Sequence, residues 1–126
     1  MRQIKFRGKR VDGKGWMYGY YTEWFFGEVK RPAIIEGDAT ACVYPVDPST
    51  VGQYTGLKDK NGKDVFEGDI ITGWTKQNEI VTWNDNKARF EPMWLQLWNI
   101  DIRDVKLEII GNVFDNPELL TTPQGE

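Results

Sequence analysis

Along most of the chain apolar and polar positions alternate with a period of two, and a helical period is scarce. Ile4 and Phe6 alternate with Lys5 and Arg7, which predicts a first strand that buries one face and carries a cationic ladder on the other. A glycine-rich turn follows at Val11-Asp12-Gly13-Lys14-Gly15, and Trp16-Met17-Tyr18-Gly19-Tyr20-Tyr21 supplies an aromatic strand at hairpin distance. Trp16, Tyr18 and Tyr20 share a face by the same period. A sheet of this size must bury one face, so these three are expected in a core or interface, with Tyr21 and Arg7 the exposed members. Val29 to Ile35 reads as a further strand, which Pro32 restricts to an edge, a bulge or a strand end.

Further on, Pro45 and Asp47-Pro48-Ser49-Thr50 enforce a turn. Val51 to Leu57 alternates again with two glycines interrupting, and Asn61-Gly62 is the strongest short-range hairpin signal in the sequence. Phe66-Glu67-Gly68-Asp69 places a turn directly before the β-branched run Ile70-Ile71-Thr72. Glu79 to Trp83, the turn Asn84 to Lys87 and Ala88 to Glu91 predict another hairpin, and Val105 to Ile110 a strand. Met93 to Trp98 is too short for periodicity to separate strand from helix. Asn116 is positioned to cap a helical turn that opens on Pro117. Many short strands at spacings of roughly ten residues argue for a mainly β, mostly antiparallel architecture, a β-rich α+β fold being the alternative. A small barrel with an N-terminal β-hairpin extension fits that pattern.

Composition narrows the chemistry. The 126 residues suit one domain, and 40% hydrophobic with 28% charged is a globular balance. The chain has no histidine, which excludes Ser-His-Asp and Cys-His catalysis and His-ligated zinc. A single cysteine, Cys42, permits no intrachain disulfide; among small apolar neighbours it reads as a buried hydrophobe. Net charge is -3, but residues 1–63 carry 11 basic and 7 acidic side chains whereas residues 64–126 carry 5 and 12. Opposite halves of this kind pair within a fold or between subunits, or leave a basic face for nucleic acid. No run approaches the roughly 20 apolar residues of a membrane helix, and no signal peptide is evident, so the expected location is cytoplasmic with no membrane contact.

The acidic groups resolve into turns. Glu67 and Asp69, with Asp64 nearby, resemble paired carboxylates for acid/base or metal chemistry, yet the Gly68 turn explains Asp69 as an acceptor for local backbone N–H groups. Asp59-Lys60-Asn61-Gly62-Lys63-Asp64 imitates a calcium loop, but its twelfth position is Ile70 rather than a bidentate Glu. No phosphate-cradling glycine loop is present. The expectation is therefore a non-enzyme with no catalytic residues, no cofactor and no metal. The candidate nucleic-acid or partner surface is Arg2, Lys5, Arg7, Lys9, Arg10 and Tyr21, a basic strand beside aromatics of the kind that binds single strands. Trp94 and Trp98 are the candidate oligomer interface. Arg2, Lys5 and Arg7 facing Asp101, Asp104 and Glu108 of a neighbour would join subunits head to tail in a homo-oligomer.

Three segments carry a family resemblance in order and spacing: Val51 to Lys63, Phe66-Glu67-Gly68-Asp69-Ile70-Ile71, and Ile109-Ile110-Gly111-Asn112-Val113-Phe114-Asp115-Asn116-Pro117-Glu118-Leu119-Leu120. With Ile4-Lys5-Phe6-Arg7 they resemble the YopX family of small phage and prophage proteins, over about residues 3 to 120. The resemblance implies an SH3-like barrel in the C-terminal part, phage or prophage origin and oligomers, and it implies no reaction. It frames residues 1–120 as a single YopX-like domain with a flexible tail at 121–126, leaving Glu23 to Tyr44 without a counterpart. The expected function is an oligomeric accessory protein that binds a phage or host protein. A single-stranded nucleic-acid module is the alternative, and a carboxylate/metal enzyme a third.

Overall fold

The computed structural model describes residues 5–36, 43–73, 77–92 and 107–120. The protein is mainly β with antiparallel pairing, and the chain divides into two compact units, Met1–Tyr54 and Thr55–Glu126. No helix among the described residues is long and apolar enough to cross a membrane.

The first unit is built from β1 (Phe6–Lys9), β2 (Trp16–Phe26), β3 (Val29–Ile35), β4 (Val43–Pro45) and the start of β5 (Gly52–Lys58), in the spatial order β4-β3-β2-β1-β5. The β1–β2 hairpin turns at Gly13 (φ 79°) and Gly15 (φ 108°), a backbone region open to glycine. β2 is long enough to serve two neighbours in succession. Trp16 to Gly19 pair with β1, and Tyr20 to Phe26 pair with β3. The handover falls on Gly19, where a Cβ would lie 2.0 Å from the Ile35 carbonyl oxygen. Only a residue without a side chain lets β3 approach there. Pro32 sits inside β3 opposite Glu23, beyond the stretch Ala33–Ile35 that β4 flanks, so no ladder bond to β4 needs its missing N–H.

Met17, Ile34 and Val46 form the core of this unit, with Phe6, Tyr44 and Val51 packed around them. This corrects one expectation. The buried face of β2 carries Met17, not the aromatic face, and Tyr18 and Tyr20 are 43% and 59% exposed. Hydrophobic groups line both faces of β2; Ile34 and Val46, remote in sequence, close over the Met17 side. A short 3₁₀ turn, Pro48–Thr50, returns the chain to β1, with Thr50 Oγ1 accepting the Lys9 N–H at 2.8 Å.

In the second unit the C-terminal half of β5 neighbours β6 (Asp64–Phe66), and Thr55 Oγ1 donates to the Val65 carbonyl. β7 (Asp69–Thr72) is central to a three-stranded sheet, with β11 (Glu108–Asn112) on one side and β8 (Glu79–Ile80) on the other. β9 (Thr82–Asn84) and β10 (Arg89–Glu91) form a separate ribbon. Val65, Ile71, Val81, Phe90 and Leu107 make the core, with Leu57 and Ile109 against it. Among the described residues these sheets remain open, so the expected closed barrel is not formed. The strands of the β8–β9 region are only two and three residues long and leave little ladder with which to close a cylinder.

Candidate functional site

Of the carboxylates that looked most like chemistry in the second unit, Asp69 and Asp59 are engaged by the backbone and Asp64 is ion-paired to Lys58. Asp69 is 2% exposed, and its Oδ2 accepts the Phe66 N–H at 2.7 Å across the Gly68 turn, where φ is 95°. Asp59 is a wider hub. Its Oδ1 accepts from the Asn61 and Lys63 N–H groups at 2.9 Å each, and its Oδ2 accepts from Ile109 N–H at 3.1 Å. One carboxylate thus holds the Asn61-Gly62 turn and fastens it to β11. Burial pushes the Asp59 carboxyl up, but the donated N–H groups of Ile109, Lys63 and Asn61, with the Lys63 charge, together hold it below its ordinary value. The local turn is legible in the sequence, whereas the bond to Ile109, fifty positions away, is not.

The third motif is a similar device. Asn112 Oδ1 accepts from Phe114 and Asp115 N–H groups, and its Nδ2 donates to Asp115. Asn116 was expected to cap the 3₁₀ turn Pro117–Leu119; its side chain makes no cap bond and instead accepts from Asn112 N–H at 3.3 Å. Gly111 belongs here because a Cβ would press on Asn116 Oδ1 at 2.6 Å. These hydrogen bonds close the loop that leads from β11 into the 3₁₀ turn.

The first unit differs. Period two places Lys5, Arg7 and Lys9 on the face of Trp16, Tyr18 and Tyr20, and the cations lie over rings: Arg7 Cζ is 4.7 Å and Lys9 Nζ 5.8 Å from the Trp16 centroid, and Lys5 Nζ 5.1 Å from that of Tyr54. Arg7, expected to be exposed, is 5% exposed because the indole covers it. Arg10 falls on the opposite face, 4.0 Å over the Tyr44 ring and ion-paired to Asp12. The hydrogen bond from Arg10 holds the Asp12 carboxyl below its usual range, aided by Lys14 and opposed by slight desolvation. Tyr21 is 39% exposed on that second face, its ring 6.1 Å from Phe6. The five described residues of the candidate surface are therefore split between two faces, and Arg2, Trp94, Trp98, Cys42, Asp101 and Asp104 lie outside the described residues.

What the structure gathers instead is an aromatic arm. Beyond Gly19, β2 and β3 continue as a hairpin carrying Tyr20, Trp24 (39% exposed), Phe25 (63%) and Val29 (53%). Arg31 stands opposite Trp24, and Lys30 pairs with Glu23 at 3.3 Å. Sequence reading missed this cluster because strand alternation cannot say which face a remote core will cover.

The family model described as YopX protein matches residues 5–121. The chain belongs to the YopX family. No curated protein matches the sequence. Among solved structures, protein EF1440 from Enterococcus faecalis is similar, with 24% identity over 95% of this chain and 99% of that one and a TM-score of 0.52. That likeness speaks to the fold alone. Within this YopX chain the segments that carry the family resemblance coincide with the Asp59, Asp69 and Asn112 turns. In each of them a side-chain oxygen holds backbone N–H groups of a turn.

Proposed function

We propose that this YopX-family chain is a non-enzymatic accessory protein of phage or prophage origin that acts by binding a protein partner through the β2–β3 arm. One observation carries the reading: Tyr18, Tyr20, Tyr21, Trp24, Phe25 and Val29 are all exposed on a single hairpin. Tyr18, Tyr20, Trp24 and Val29 share one face, and exposed aromatic groups gathered in this way are costly in water and enriched at protein contacts. The non-enzymatic part is supported by the second unit, where backbone N–H groups engage Asp59 and Asp69, two of the carboxylates that catalysis or metal binding would draw on. The test is affinity capture from prophage-induced bacterial cells with immobilised wild type and with Trp24→Ser/Phe25→Ser. A partner held by the wild type and lost by the variant, with both equally folded by circular dichroism, is the expected result; capture indifferent to the arm overturns the reading.

A second reading has its own observation, Lys5 and Lys9 on the face of Tyr18 and Tyr20, with Arg7 covered between them. Bases of a single strand stack on such rings while cations track the phosphates. Fluorescence anisotropy with a labelled oligothymidylate decides it: salt-sensitive binding that Tyr18→Ala/Tyr20→Ala removes supports it, and no binding at low salt ends it.

A further inference from the structure

Successive residues of a strand turn their backbone N–H and C=O groups to opposite edges, and hydrogen bonds at both ends of the first unit's sheet fix that alternation in β2. The Val46 N–H donates to the Pro32 carbonyl at 3.0 Å, so Pro32 serves the β4 side of β3, while Arg31 and Ala33 serve β2. Their partners Trp24 and Thr22 therefore bond to β3, which turns the backbone groups of Tyr21, Glu23 and Phe25 to the other edge of β2. The β1–β2 hairpin gives the same answer. The Arg10 N–H donates to the Gly15 carbonyl at 2.9 Å, so Gly15, Met17 and Gly19 face β1, along the edge that Tyr21, Glu23 and Phe25 continue. Beyond Gly19 no described strand pairs with that edge. The Glu23 carbonyl accepts the Thr22 hydroxyl at 3.3 Å, which leaves it a second lone pair. The opposite edge of the arm is guarded: on β3 the same alternation offers Lys30, which is charged, and Pro32, which has no N–H.

Resting on the arm as the working surface, we infer that the partner contributes an extended segment, which adds to the β2 edge as a further strand in line with β1 and bonds to the backbone of Tyr21, Glu23 and Phe25. The placing of the aromatic groups selects this occupant. Tyr20 and Trp24 are 59% and 39% exposed on one face, and Tyr21 and Phe25 are 39% and 63% exposed on the other. A helix or a folded surface laid on one face leaves the other in water. A strand at the edge sends alternate side chains to both faces, each beside an aromatic neighbour. The segment it takes is therefore free of proline at the bonded positions and carries large apolar or β-branched side chains at consecutive positions.

Peptides selected from a random displayed library on the immobilised full chain test this, with amide exchange as a second readout. In the free chain the Tyr21, Glu23 and Phe25 amides should exchange faster than those of Thr22 and Trp24, and the selected peptides should slow them. Glu23→Pro removes one edge N–H and no β2–β3 bond, so it should weaken peptide binding by about tenfold or more, whereas Glu23→Ala should bind as the wild type does. N-methylation of alternate peptide amides should abolish binding, a result that does not depend on how Glu23→Pro folds. Edge amides already protected in the free chain, selection that yields helical or proline-rich peptides, or binding indifferent to N-methylation overturns the inference. A Glu23→Pro chain that captures the cellular partner as well as the wild type, where Trp24→Ser/Phe25→Ser does not, overturns strand addition and leaves the proposed function standing.

Discussion

The two units differ most in the aromatic surface they expose, which in the second unit, among the described residues, is Trp83 and Phe114. In the C-terminal unit Asp59, Asp69, Asn112 and Asn116 all direct side-chain oxygens at backbone N–H groups, and Val65, Ile71, Val81 and Leu107 are fully buried. In the N-terminal unit Met17, Ile34 and Val46 form the core cluster among the described residues, while β2 exposes Tyr18, Tyr20, Tyr21, Trp24 and Phe25. The turns at Asp59, Asp69 and Asn112 are thus folding devices, and the exposed aromatic groups of β2 lie outside them, within the residues that the family model also spans. Recognisable sequence and functional surface need not coincide, because turn geometry tolerates few residue types and an exposed sheet face tolerates many.

Substitutions on either side of this contrast should behave differently. The largest effect is expected at Gly19. A methyl group 2.0 Å from the Ile35 oxygen cannot be accommodated without parting β2 from β3, so Gly19→Ala should cost about 3 kcal/mol or more in a urea titration. Next is Asp59, whose removal orphans three N–H groups; Asp59→Ala should cost about 2–3 kcal/mol. Because the folded state holds this carboxyl below its unfolded value, its contribution is present above the ordinary carboxylate range. It is lost as pH falls through that range to the lower folded value. Asp59→Asn should therefore be less stable at neutral pH yet show a shallower acid limb, and an unchanged limb would show that Asp59 is not its source.

At Gly62 the cost is conformational alone, since φ is 83° and a Cβ would meet nothing within 4 Å. Gly62→Val should destabilise by more than about 1 kcal/mol, and unchanged stability would count against the turn. The smallest effect on folding belongs to the arm. Trp24→Ser should move the monomer's urea midpoint by no more than about 0.5 kcal/mol equivalent while abolishing binding. A large loss of stability there would mean that the arm is structural and would erase the contrast between the units.

Which of these features a sequence reveals follows from their range. The glycine turns at Gly13, Gly62 and Gly68, the β1–β2 and β9–β10 hairpins and the role of Asp69 are local, and backbone conformational preference announces them. The faces of β2 are not local. Met17, Gly19 and Tyr21 alternate with Trp16, Tyr18 and Tyr20, both sets apolar enough to be buried, and only Ile34 and Val46 decide between them. The same holds for Arg7, which a cationic pattern places in solvent and the Trp16 ring places under cover. Barrel closure was likewise beyond reach, because strand number and spacing do not determine how far a ladder of two or three residues extends.

Amide hydrogen exchange, with and without the captured partner, is the most direct test of where the protein works. Protection should rise along residues 20–32 and stay unchanged at Asn61, Lys63 and Ile109, whose N–H groups Asp59 already holds. Protection that appears at the Asp59 turn and β11, with the arm exchanging as freely as before, would contradict a working surface on the N-terminal unit.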